Sequence, residues 1–235
     1  MSFPDTNWTV LVHATLHGDE ANRRALADVC AAYWKPVHKA ICATGVRSTD
    51  ANDLTQSFFT YLMKTSTLRR AEKGRGLFRT FLTRVLLRFL RDERCKAHAE
   101  KRGGGQFVQP LDELDDADMP ANETRVSEAL DKSWAVAIFE RVIESVRREV
   151  VSARGEEAWH VLRCFLPGSH ASAPAPDAAR QLGLSEAGLR TEVHRLRQRC
   201  RDALRREVTV TVSSPEEIDE EIAYMGRVLQ TVAAE

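Results

Sequence analysis

Three arginines, Arg84, Arg88 and Arg91, fall on one side of the helix predicted from Leu77 to about Lys101, with Arg94 and Lys96 beyond them. Like charges repeated on every turn repel each other unless an anion lies along them. A nucleic-acid backbone supplies that anion and makes binding steeply salt-dependent. The competing arrangement pairs these arginines with Glu93, Glu100 or acids of neighbouring helices. A second set lies in the segment Asp177-Ala-Ala-Arg-Gln-Leu-Gly-Leu-Ser-Glu-Ala-Gly-Leu-Arg-Thr-Glu-Val-His-Arg-Leu-Arg197. A short helix, a glycine at a turn and a serine-capped second helix form the helix-turn-helix pattern. At 100° per residue, Leu189, Val193, Leu196, Cys200 and Leu204 make an apolar stripe on the second helix. Thr191, His194, Arg195, Gln198 and Arg201 face away from it, with Arg190 at the edge. That division seats a helix on its neighbours and turns hydrogen-bond donors towards a major groove. A basic solvated helix in a bundle is the plainer alternative. A third face, Asp53, Gln56, Ser57 and Thr60, is polar with few long charges and suits docking or simple solvation.

Chemistry of the bond-making kind has no such constellation. The chain has no Gly-rich phosphate loop, no Gly-x-Ser-x-Gly and no His-Glu-x-x-His. His160 and Cys164 stand one helical turn apart, without a second pair to complete a metal site. The five cysteines are scattered and lack CxxC spacing, which fits reduced thiols in the cytoplasm. No enzyme activity, cofactor or metal is expected.

The elements that position these faces are helices, and the expected fold is all-α. Net charge is formally zero, but it is sorted into blocks. Lysine and arginine prevail from Lys64 to Arg102 and again from Arg180 to Arg206. Acids prevail from Asp112 to Asp131 and from Pro215 to Glu235. Two basic blocks around an acidic connector suggest two contacts with nucleic acid. Helices are predicted over Trp8–Leu16, from Asp19 to Tyr33 with a break before Pro36, and on to Thr44. Others follow from Ser48 or Thr49 to Lys64, from Leu77 to Lys101, from Ser133 to Ser152 and from Glu156 to Leu166. The last are Asp177–Leu182, the helix opening at Ser185, and Pro215 to about Val232. Val208 to Val212 is the only strand-like run. The glycines Gly103 to Gly105 close a first domain, residues 1–105, and residues 106–131 form an acidic linker. A helix-turn-helix domain covers residues 132–213 and an acidic helix residues 214–235. No secretory signal and no membrane span are expected.

In their order and spacing these segments resemble the extracytoplasmic-function sigma factors, bacterial initiation factors built from two helical domains. The likeness is carried by Trp8-Thr-Val-Leu-Val with Gly18-Asp19, by Tyr33-Trp34, and by Asp53-Leu-Thr-Gln-Ser-Phe-Phe59. Gly76-Leu-Phe-Arg-Thr-Phe-Leu82, Asp92-Glu-Arg, Lys101-Arg-Gly-Gly-Gly105 and the helix-turn-helix segment complete it. The resemblance implies a subunit that binds core RNA polymerase and directs it to promoter DNA. Asp53, Gln56 and Phe59 would dock on the β′ coiled coil. Arg75, Arg79, Arg84, Arg88 and Arg91 would engage the minus-ten element as its strands separate, while Arg190, Thr191, His194 and Arg195 would read the minus-thirty-five element as duplex. An anti-sigma or other regulatory protein is a further partner the resemblance allows. The chain departs from many relatives at Arg88, where an asparagine captures a flipped base, at Phe81, where tryptophan is common, and at Glu192, where a basic residue is common. The acidic C-terminal helix extends beyond the minimal plan and is expected to pack its apolar side on the second domain. The alternative function is a stand-alone helix-turn-helix repressor or activator.

Overall fold

The computed structural model describes residues 20–64, 77–101, 121–166, 169, 174–212 and 214–233. The predicted helix Trp8–Leu16, Arg75, Gly103 to Gly105 and the acidic run Asp112 to Asp118 lie outside them. Among the described residues the chain is all-helical, without strands. The helices are α1 (Glu20–Cys42), α2 (Ser48–Lys64), α3 (Phe78–Lys101), α4 (Ala121–Leu162), α5 (Ala175–Gln181), α6 (Glu186–Thr209) and α7 (Glu217–Ala233), with a 3-10 turn at Arg163–Phe165. They fall into two compact units. One holds the described residues up to Ala137 and those from Val210 onward; the other is Ile138–Thr209.

In the first unit α1 packs on α2 and α2 on α3. Phe78, Leu82, Val85 and Phe89 recur at i, i+4, i+7 and i+11, and all four are buried, as the spacing predicts. Aromatic edges join the helices: Tyr33 of α1 meets Phe78 of α3 at 5.0 Å between ring centroids. Phe58 of α2 meets Phe89 of α3 at 5.6 Å. Pro36 does not interrupt α1, which runs through it. The ring forfeits one backbone hydrogen bond, but Tyr33, Val37, Ala40 and Ile41 flank it in the core. Each buried side chain of that size contributes about 1.5–3 kcal/mol, so packing prevails over the local break.

Three other expectations are corrected. The last part of the expected linker, from Ala121 to Asp131, is helix and opens α4. Val126, Leu130 and Trp134 recur at i, i+4 and i+8 and are buried, a stripe hidden in the sequence by the acids around it. Val208 is inside α6 rather than in a strand. The C-terminal helix α7 belongs with the first unit, not with the helix-turn-helix segment.

The reason is Arg79. Its Nε and Nη2 donate to the two carboxylate oxygens of Glu221 on α7, at 2.7 and 3.1 Å. Its Nη1 donates to Asp131 Oδ1 on α4 at 2.9 Å. The guanidinium also lies 4.0 Å from the Tyr224 ring centroid and 5.3 Å from that of Trp134. The Tyr224 hydroxyl donates to the second oxygen of Asp131 at 2.6 Å, and Phe78 N donates to Thr211 O at 3.3 Å. Glu221 is 2 % exposed and Arg79 8 %, so neither charge is answered by water. Burial alone lowers the pKa of Arg79, but the hydrogen bond and the charges of Glu221 and Asp131 outweigh it and raise it.

Glu221→Ala leaves a buried cation short of a partner and is expected to cost about 3–5 kcal/mol, whereas exposed Glu220→Ala should stay within about 0.5 kcal/mol; chemical denaturation of both variants measures the difference. Burial and the hydrogen bond donated to Asp131 push the Tyr224 phenol up from its ordinary 10.0 to about 12. A raised folded-state pKa means that this stabilisation is complete below pH 10.0 and is lost as pH rises through about 12. An alkaline tyrosinate absorbance titration should therefore contain a step near 12 that Tyr224→Phe removes.

Candidate nucleic-acid interface

The second unit is built from the later part of α4, then α5 and α6. Ile138, Val142, Val146 and Val150 are buried along α4, which breaks at Gly155 with φ 84° and ψ 170°. Ala158, Trp159, Val161 and Leu162 are buried beyond the break. The break parts the segment where the sequence predicts two helices.

From α5 to α6 the backbone makes a tight corner. Pro176 stands in the first turn of α5, where its missing N–H costs nothing. At the other end Gly183 takes φ 64°. Leu184 N donates to Ala179 O at 2.9 Å and Gly183 N to Arg180 O at 3.1 Å, the paired bonds of a Schellman stop. Ser185 then caps α6, its Oγ accepting from Gly188 N at 3.1 Å. Ala178 and Ala179 of α5 and Leu189 and Leu196 of α6 are buried, so the pair is seated by small and branched apolar residues. Val193, Cys200 and Leu204, from the same predicted stripe, are partly buried.

This leaves one side of α6 to water. Arg190, Thr191, His194, Arg195, Gln198 and Arg201 are all exposed. Thr191 Oγ1 donates to Ala187 O at 3.1 Å. Arg190 has Glu186 only at 3.9 Å. Gln198 accepts from Arg201 at 2.7 Å and donates to Asp202 at 2.8 Å. Arg195 donates to Glu192 at 2.7 Å. The fully exposed pairs, those of Arg190 and of Gln198 with Arg201 and Asp202, are worth at most about 1 kcal/mol and are readily exchanged for other partners. The four residues assigned by sequence to duplex reading thus share one accessible helix face.

The predicted residues of the first unit divide differently. Arg84 and Arg94 are exposed on α3. Arg88 is partly buried, with Asp92 at 3.9 Å, and Arg91 reaches Glu123 of α4 at 3.1 Å. Arg79 is only 8 % exposed, against its assignment as a DNA contact: Nε, Nη1 and Nη2 each donate to Glu221 or Asp131. Of Arg84, Arg88 and Arg91, for which pairing with acids is the competing arrangement, Arg91 meets an acid of a neighbouring helix and Arg88 lies near one of its own. On α2, Asp53, Gln56 and Ser57 are exposed. Phe59 is 5 % exposed and cannot itself touch a partner. It stacks under Trp34 of α1, ring centroids 5.5 Å apart, and Trp34 supplies the exposed aromatic face instead. The sequence marks Tyr33-Trp34 without telling which ring turns outward; only the packing of α1 on α2 decides that.

No metal cluster gathers around His160 and Cys164 among the described residues; the Cys164 thiol is turned to the His160 carbonyl, 3.4 Å away. Burial pushes up the thiols of Cys30 and Cys200, with Glu149 adding to the second, which suits packing rather than nucleophilic work. Among the described residues, no helix is long and apolar enough to cross a membrane. No family model, curated protein or solved structure matches this chain.

Gly183→Ala forces a side chain into left-handed backbone and is expected to cost about 1–2 kcal/mol, and Ser185→Ala about 1 kcal/mol through the lost cap. Urea unfolding of each variant checks both.

Proposed function

We propose that the chain is a DNA-binding initiation subunit of the sigma type, acting in the cytoplasm with core RNA polymerase and promoter DNA and carrying no catalytic group. The observation that carries this reading is the α6 face. Six donor-bearing side chains, Arg190, Thr191, His194, Arg195, Gln198 and Arg201, stand exposed on one helix. The corner at Gly183 and the cap at Ser185 hold that helix by its opposite side. Such a face contacts phosphates for register and base edges for sequence.

The sigma assignment, rather than DNA binding alone, draws on the resemblance together with the separate exposed faces of the first unit. Asp53 and Gln56 lie on α2 with Trp34 close by on α1, and Arg84 and Arg94 lie on α3. In this reading Asp53, Gln56 and Trp34 dock on the polymerase coiled coil, and Arg84 and Arg94 attract the opened promoter strand. Function is positioning: α6 holds duplex DNA, and the first unit offsets the few kcal/mol needed to unstack each base it takes from the helix.

A second reading, a stand-alone duplex-binding regulator, is favoured by one observation. Arg79 and Arg91 are answered by carboxylates within the chain, which lowers the charge left for a second DNA contact. The two readings differ in their need for polymerase. A sigma-type chain should be retained one-to-one by core RNA polymerase and bind DNA weakly alone. Under that reading Asp53→Ala with Gln56→Ala weakens retention, while Arg190→Ala or Arg195→Ala spares it and lowers transcription from a responsive promoter about fivefold or more, the effect of about 1–3 kcal/mol per base contact. Tight operator binding without polymerase, and no retention by it, would establish the second reading instead.

A further inference from the structure

One carboxylate on the exposed side of the second unit is not free for any ligand. Glu192 of α6 accepts from Arg195 through Oε1 at 2.7 Å and from Arg154 of α4 through Oε2 at 3.2 Å. Its side chain is 14 % exposed, against 61 % for Arg195. Arg154 is the last residue before the break at Gly155, so the backbone that carries it is defined by that turn. The three residues form a chain from the inner helix to the outer face: Arg154 holds Glu192, and Glu192 holds Arg195.

We propose that Glu192, braced by Arg154, is a positioning residue for Arg195 that sets base discrimination by the α6 face; this rests on the DNA-binding reading above. Two physical effects lead there. First, an arginine side chain free in water samples many rotamers, and ordering one at an interface costs conformational entropy. A guanidinium already held by a partly buried carboxylate starts nearer to one orientation. It can therefore present its free donors to one geometry of acceptors, the bidentate edge of a guanine for example. Second, the Glu192 carboxylate reduces the pull of Arg195 on any passing phosphate. Sequence-independent binding comes from that pull, so reducing it widens the gap between right and wrong sites. Arg190, whose acid stands 3.9 Å away and which is 80 % exposed, has no comparable brace.

The charge changes of two variants separate positioning from simple electrostatics. Glu192→Gln raises the net charge by one, and Arg154→Ala lowers it by one. Glu192→Gln removes the charge that holds Arg195, and Arg154→Ala leaves Glu192 unbraced so that its grip on Arg195 no longer has one fixed direction. The full-length chain, alone and bound to bacterial core RNA polymerase, is challenged with a randomised duplex DNA library, and the retained sequences are counted. The expected result is that both variants flatten the preference at the same one or two base pairs by about tenfold. Total retention of random duplex should rise with Glu192→Gln and fall with Arg154→Ala. Arg154→Lys, which keeps a cation for Glu192, should restore most of the preference. Unchanged circular dichroism and unfolding midpoints confirm that the fold is intact. Preferences that sharpen in one variant and flatten in the other, following net charge, overturn the proposal, as do preferences unchanged in both. If the wild-type chain enriches no sequence with or without polymerase, the DNA-binding reading itself is lost and this inference with it.

Discussion

A guanidinium taken out of water must be met by carboxylates, and for Arg79 they come from 52 and 142 residues further along the chain. That requirement organises the first unit. Removal of one charge would strand the others, because Asp131 also accepts from Tyr224 and Glu221 has almost no contact with solvent. Helix α7 is therefore part of the first unit although the whole of α6 precedes it in the chain. The ionic cluster adds direction to the burial of Ile218 and Met225 on α7, because a bidentate bond to Arg79 fits one geometry.

The same accounting sorts the remaining arginines by what answers them. On α3, Arg91 reaches an acid of another helix, and Arg88 lies partly buried near Asp92. On α6, the partners of Arg190 and Arg201 are exposed residues of α6 itself. A helix that supplies its own weak partners keeps its cations at the surface, where a ligand can replace those partners. Arg79 and Arg91, answered by acids of other helices, have instead spent charge on the fold. Density of positive charge along the sequence is similar in the two segments, yet the charge each leaves exposed to exchange partners differs.

Aromatic packing makes a related distinction in the helices around α2. Phe58 and Phe59 are adjacent, and both are buried, because α3 covers one and Trp34 covers the other. Asp53 and Gln56 remain exposed on the helix whose Phe59 is covered by the exposed Trp34. An indole at the surface offers both an apolar face and an N–H, properties common at protein interfaces.

Much was legible in the residues themselves. Local rules determined the helices whose spacing is periodic, such as the Phe78, Leu82, Val85 and Phe89 stripe. They also determined the α5–α6 corner, since a glycine in left-handed backbone and a serine cap are decided within a few residues. The exposed face of α6 followed from that periodicity. What stayed hidden depended on distant partners. Acids around Val126 and Leu130 made the start of α4 look like a tether, and only burial against the first unit's core shows it as helix. Pro36 looked like a break until its neighbours were seen to be packed. Arg79 and Arg84 are chemically identical in the sequence, and only the tertiary structure, by bringing Glu221 and Asp131 to one of them, decided which is held inside and which is turned to water. The energy of a charge depends on what surrounds it in space, and a sequence lists only what surrounds it along the chain.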